Sequence, residues 1–209
     1  MKRLSLLAFV FAVVSVVCAA MTLYLSQGVL IAWHIPAAIL SYLAFVVCVV
    51  LNIGRASGRK WPLSHALRAC DHGLFFALAT LVTGMIWGVK SWGHAWIWEP
   101  RLTGMFLMTL IFVSWRLASR YIADHVKANG AATSALIVLG LPALAFTHLA
   151  TRLFGGVHPS QMPKTGAESH VGALAFICAT IFYLAFAWTV SLVKMCLAKR
   201  RARGEDVTK

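Results

Sequence analysis

Six stretches of the 209-residue chain are almost wholly apolar, and short polar segments separate them. They fall near Leu4–Leu25, Pro36–Ile53, Gly73–Val89, Leu102–Ala118, Ala131–Ala150 and Val171–Val193. About 20 apolar residues cross the hydrocarbon core of a bilayer as a helix. In lipid the backbone must bond to itself, so these runs read as helices. The pattern therefore predicts an all-α polytopic membrane protein with six transmembrane helices. It forms one domain over residues 1–198, followed by a polar, basic tail at 199–209 that is expected to be mobile. The first run follows Met1-Lys2-Arg3 and is longer than the apolar part of a signal peptide, about 7–15 residues, so it is read as a retained helix.

Charge gives these helices a direction. The net charge is +13, and four of the 19 Lys and Arg residues (Lys90, Arg101, Arg152 and Lys164) fall in alternate segments, the rest in the others. Basic residues concentrate in cytoplasmic loops. The bias places both termini in the cytoplasm and the segments after the first, third and fifth helices outside. Because the positive charge sits in short loops between apolar runs, it argues for topology and against a nucleic-acid partner. Hydrophobic residues make up 60% of the chain, beyond the range of ordinary soluble domains.

The five cysteines form no C-x-x-C pair and no C-x-x-C-H haem-attachment motif. They read as small buried hydrophobes. No G-x-x-x-x-G-K-[ST] phosphate loop occurs, so an ATP-driven step would belong to a partner.

Candidate chemistry lies in Trp92-Gly93-His94-Ala95-Trp96-Ile97-Trp98-Glu99-Pro100-Arg101-Leu102-Thr103, the outer segment between the third and fourth helices. Tryptophan anchors membrane interfaces generally, but Trp87, Trp92, Trp96 and Trp98 crowd one short stretch. An extended path would put Trp92, His94, Trp96 and Trp98 on one face as an aromatic wall; a helical path would align only Trp92 with Trp96. Rigid apolar plates of this kind suit a flat macrocycle. Arg101 could grip a carboxylate in bidentate fashion. Lys90 reads as a membrane-edge anchor. Glu99 is expected to hold Arg101 or an indole N–H in place.

Of the eight histidines, His34, His94, His148, His158 and His170 lie on the outer side. Imidazoles ligate haem iron axially. Pro36 suits a helix first turn, which would put His34 just before the second helix. His158 sits in a loop with Gly155, Gly156, Pro159 and Pro163.

The run Trp92 to Thr103 resembles the tryptophan-rich "WWD" signature of heme-handling membrane proteins. His34-Ile35-Pro36-Ala37-Ala38-Ile39 resembles the segment bearing the first histidine of the CcmC-type members, and Leu81-Val82-Thr83-Gly84 before Trp87-Gly88 looks like the same branch. The likeness runs from about His34 to His158. Glu99 stands where the family usually has Asp, the segment Ser26 to Trp33 is short, and Gly156-Val157-His158-Pro159-Ser160 matches weakly, so His148 and His170 compete with His158.

The resemblance implies non-covalent heme b held at the outer (periplasmic) face of a bacterial cytoplasmic membrane. His34 and His158 would be the axial ligands, and Trp92, Trp96, Trp98, Glu99 and Arg101 would line the docking surface. It implies heme delivery, with no catalysis by this chain, to a CcmE-like heme chaperone during cytochrome c maturation. A small CcmD-like protein and a CcmA–CcmB-like ABC transporter would work beside it. Two alternatives stand: part of a heme–apocytochrome ligation complex, which resembling proteins with more helices perform, or an intramembrane cytochrome b-like carrier, which would place histidines within the spans. A structural subunit without ligand is the plainest reading.

Overall fold

The computed structural model describes residues 2–26, 30–125, 137–138, 140–156 and 170–207. Among these residues the structure is helical, with no strand. The elements are α1 (Lys2–Ser26), α2 (Ile31–Ala56), α3 (Leu63–Trp92), α4 (Pro100–His125), α5 (Gly140–Phe154) and α6 (His170–Val207). Five helices are long and apolar enough to cross a membrane: α1 to α4 and α6. The chain is thus a multi-pass membrane protein. The sixth expected span corresponds to α5, of 15 residues, and most of the stretch before Gly140 lies outside the described residues.

Three boundaries differ from expectation. α2 starts at Ile31, so Pro36 stands inside the helix and His34 in its first turn, its N–H bonded to the Leu30 carbonyl at 2.9 Å. The apolar Ile31-Ala32-Trp33 run extends the helix past the proline, whose missing donor affects one bond near the end. α3 starts ten residues before the apolar run, because packing completes its polar first turns. Ala66 and Cys70 there are fully buried. α6 continues to Val207, so the tail is helical over most of its length rather than irregular. Ala198, Lys199, Arg200, Arg201 and Ala202 are strong helix formers.

The chain divides into two compact units, Met1–Pro36 with Thr165–Lys209, and Ala37–Lys164. In the first, α1 and α6 pack antiparallel, and Phe11 stacks on Trp188 at 6.1 Å. Their contact faces are made of small residues: Ala8, Ser15 and Thr22 on α1, and Ala175, Ala179 and Ala187 on α6, are buried. Small side chains let helix backbones approach where lipid gives no hydrophobic drive. The hydroxyls stay satisfied locally, Ser15 donating to the Ala12 carbonyl (2.7 Å) and Thr22 to that of Cys18 (2.8 Å). Trp33 closes the unit, edge-on to Phe182 at 5.3 Å.

The second unit is an up-and-down arrangement of α2 to α5. Phe45 stacks on Phe112 at 3.7 Å, with Cys48, Cys70, Met108, Trp115 and Ile137 buried around the pair. Gly73 leaves room for the Phe45 ring. The Cys48 and Cys70 side chains meet, so α2 and α3 run antiparallel. Gly104 faces Thr147 and Gly140 faces Phe112, so α4 and α5 do likewise. One charge pair lies between apolar helices. Arg116 Nε donates to Asp71 Oδ1 at 2.6 Å and Nη2 to Oδ2 at 3.4 Å.

The up-and-down order gathers four helix termini at one end of this unit: the Ala37 end of α2, the Trp92 end of α3, the Pro100 end of α4 and the Phe154 end of α5. The tryptophan-rich segment caps that end.

Candidate functional site

The segment is neither one strand nor one helix. Trp92 is the last residue of α3, and Gly93, in the left-handed region at φ 80°, caps the helix with its N–H on the Val89 carbonyl at 3.2 Å. His94 to Glu99 are irregular. Glu99 precedes α4, and its carbonyl accepts the Thr103 N–H at 2.9 Å. Pro100 takes the first helical position, where no N–H is needed.

This path splits the expected single wall into two aromatic clusters. Trp87 and Trp92, five residues apart on α3, meet edge to face at 5.1 Å and 76°. Trp96 and Trp98 meet at 5.5 Å and 80°. Phe106 of α4 completes the second cluster, 5.8 Å from Trp96 and 6.3 Å from Trp98. Sequence reasoning missed Phe106, because it belongs to another element; its place near the start of α4, just after the tryptophans, was the available signal. Edge-to-face contacts hold such rings in fixed orientations.

The two clusters differ in what they offer. Trp98 is 73% exposed, so a ring face is open to a ligand. The Nε1 atoms of Trp92 and Trp96 are buried and have no hydrogen-bond partner among the described residues. A buried donor left unsatisfied costs about 1–3 kcal/mol, so two on one short segment are positioned to take acceptors from outside the described residues. Heme carries apolar faces and carboxylate acceptors, and the residues present fit both. His94 and Lys90 are exposed, and Arg101 is half-buried. Arg101 also lies within electrostatic range of Tyr42 on α2, whose hydroxyl pairs with Thr147 of α5.

Glu99 behaves differently from its neighbours. It is 5% exposed, and its Oε2 lies where a side chain on Gly156 would begin. A β-carbon built on Gly156 would sit 2.3 Å from that oxygen. Gly156 has φ 136° and follows the end of α5. The glycine thus admits the Glu99 carboxylate against the backbone and ties the tryptophan segment to the chain leaving α5. That contact joins positions 57 residues apart, which no local pattern encodes.

The expected ligands are placed as follows. His34 is half-buried in the first turn of α2 and belongs to the first unit. His158 lies outside the described residues. His148 is on α5 and His170 opens α6. Among the described residues no group of three or more His, Cys, Asp or Glu could hold a metal ion.

Comparison with known proteins gives a consistent result. The chain matches the family described as CcmC, heme exporter protein C, over residues 1–208. It is 28% identical over 157 residues to a ccmC-like mitochondrial protein of cytochrome c biosynthesis from Marchantia polymorpha, covering 72% of this chain and 65% of that one. It is 27% identical to heme exporter protein C of Bradyrhizobium diazoefficiens (80% and 63% covered). For heme exporter protein C of Escherichia coli K12 the identity is 28%, with 60% and 51% covered. The aligned region is about half to two thirds of the length of these relatives.

Proposed function

Because the chain belongs to the CcmC, heme exporter protein C, family of cytochrome c biogenesis, we propose that it binds heme b non-covalently at the outer face of a bacterial cytoplasmic membrane and hands it to a CcmE-like chaperone. The observation that carries this reading is the tryptophan segment itself. It presents an open indole face at Trp98 and two buried indole donors at Trp92 and Trp96. The macrocycle lies against the Trp96–Trp98–Phe106 cluster, and its propionates take the indole N–H groups and Arg101. Charge-assisted pairing of Arg101 with a carboxylate supplies orientation as well as affinity.

His34 and His158 serve as axial ligands. The charge bias puts both on the outer side of the membrane with the tryptophans. Heme, once bound, supplies only its iron and its two faces; the chain holds it, orients it and shields one face from water. Delivery is to a partner, with CcmD-like and CcmA–CcmB-like proteins in the same assembly.

The test is the absorption spectrum of the detergent-purified protein beside His34→Ala, His148→Ala, His158→Ala and His170→Ala. The proposal expects heme bands in the wild type and their loss or shift in the His34 and His158 variants alone. Loss in a different pair would reassign the ligands. No heme in any preparation, and none taken up on addition, would overturn the function.

A further inference from the structure

We propose that the inner end of the first unit is a binding surface for anionic phospholipid headgroups. The apolar run of α6, Val171–Val193, is about 35 Å long at 1.5 Å per residue, enough to fill the hydrocarbon core of about 30 Å. The helix does not stop there. It continues without a break to Val207, and basic residues begin at once: Lys194, Lys199, Arg200, Arg201 and Arg203.

Their depth matches the headgroup layer. Arg203 lies about 15 Å along the helix from Val193. The headgroup region adds about 5–8 Å beyond the core, and charge is felt over a further Debye length of about 8 Å. All five basic residues fall within that sum. The acidic residues of this helix, Glu205 and Asp206, come only after it. Lys194, Lys199, Arg200 and Arg201 are exposed. The packing of Phe11 on Trp188 brings the exposed Arg3, at the start of α1, to the same level as this cluster.

Their angular spread chooses between two occupants. At about 100° per residue, the five positions are distributed around the helix rather than along one stripe. An acidic protein partner touches one side of a helix. A layer of phosphates surrounds it, and the whole set is used. Setting topology accounts for the sign of the charges but not for a rigid helix that carries them through the headgroup layer with its acids held beyond.

The full chain is reconstituted in nanodiscs of phosphatidylcholine containing phosphatidylglycerol, and the lipid in contact with it is read by spin-labelled analogues of each. One engaged basic residue near an anionic surface is worth about fivefold. The wild type is expected to prefer phosphatidylglycerol by at least about that factor. The preference should approach unity at high salt and in K199Q/R200Q/R201Q/R203Q. The salt arm needs no variant, and nanodiscs expose both leaflets, so altered insertion cannot mimic the result. No preference in the wild type, or one that survives both salt and substitution, overturns the proposal. So does an acidic soluble protein that binds the wild type but not the variant in discs of phosphatidylcholine alone.

Discussion

Replacing Gly156 with alanine tests the contact that ties the tryptophan segment to α5. The new β-carbon would sit 2.3 Å from Glu99 Oε2 and 3.4 Å from its Cδ. Real contacts of this kind do not fall below about 3 Å, so the carboxylate must move by at least about 0.7 Å. Glu99 is only 5% exposed and cannot simply swing into water. Overpacking of this sort costs about 1–3 kcal/mol. The backbone adds a second cost, since φ 136° is a conformation that L-residues rarely adopt, worth about 1–3 kcal/mol. The two together give a destabilisation of about 2–6 kcal/mol. They can be separated. In a Glu99→Ala background the clash is gone and only the backbone cost remains. A double-mutant cycle, read as unfolding free energy by titration with a denaturing detergent, should show a coupling of at least about 1 kcal/mol. Heme titration of the same four proteins should show weaker binding in Gly156→Ala and in Glu99→Ala. If alanine at 156 costs the same with and without Glu99, the contact is not what holds the segment and the reasoning fails.

Other expectations follow from single contacts. Trp96→Phe keeps an aromatic ring in the cluster but removes a buried donor; heme affinity should fall by about ten- to a hundredfold, one hydrogen bond to a charged group, with the apo protein no less stable than the lost indole packing allows. Arg101→Gln should weaken heme binding by a similar factor, and its effect should shrink for heme dimethyl ester, which has no carboxylate to pair. Asp71→Ala leaves the Arg116 guanidinium half-buried without its carboxylate, and should destabilise by about 1–3 kcal/mol, more than the double replacement Asp71→Asn with Arg116→Gln. Phe45→Ala removes a fully buried ring stacked on Phe112 and should cost about 3–5 kcal/mol in detergent unfolding, while heme affinity per folded molecule stays near that of the wild type.

The helical spans were legible because lipid leaves so little choice. Apolar residues over the required length can only be helices, and α1 and α6 follow their runs closely up to the membrane edge. The ends were less legible. Pro36 suggested a start that Ile31 to Trp33 override. Leu63 to His72 carry Ser64, His65, Arg68 and Asp71, so hydropathy falls there, yet Asp71 is paired with Arg116 on the next helix.

At the candidate site, the residue types were visible and their arrangement was not. Counting tryptophans found the segment, but the period of two that would build one flat wall requires a strand. The chain instead finishes α3 at Trp92, turns at Gly93 and re-enters helix at Pro100. Gly88 enables this return, since the His94 carbonyl and the Trp92 ring pack where its side chain would be. Phe106 and Gly156 enter through tertiary packing, from helices whose own patterns say only that they are apolar. Glu99 was expected to hold Arg101 or an indole in place; the structure sets its carboxylate against Gly156.

The most direct measurement is the rate at which a membrane-impermeant maleimide modifies His94→Cys, with the wild type as background, with and without heme. His94 is exposed and lies between the two tryptophan clusters, and the substitution leaves every proposed heme contact in place. The account predicts rapid labelling from the periplasmic side of intact cells stripped of their outer membrane, slowed at least about tenfold by heme, equivalent to about 1.4 kcal/mol of protection. Labelling only from the cytoplasmic side, or a rate indifferent to heme, would contradict it.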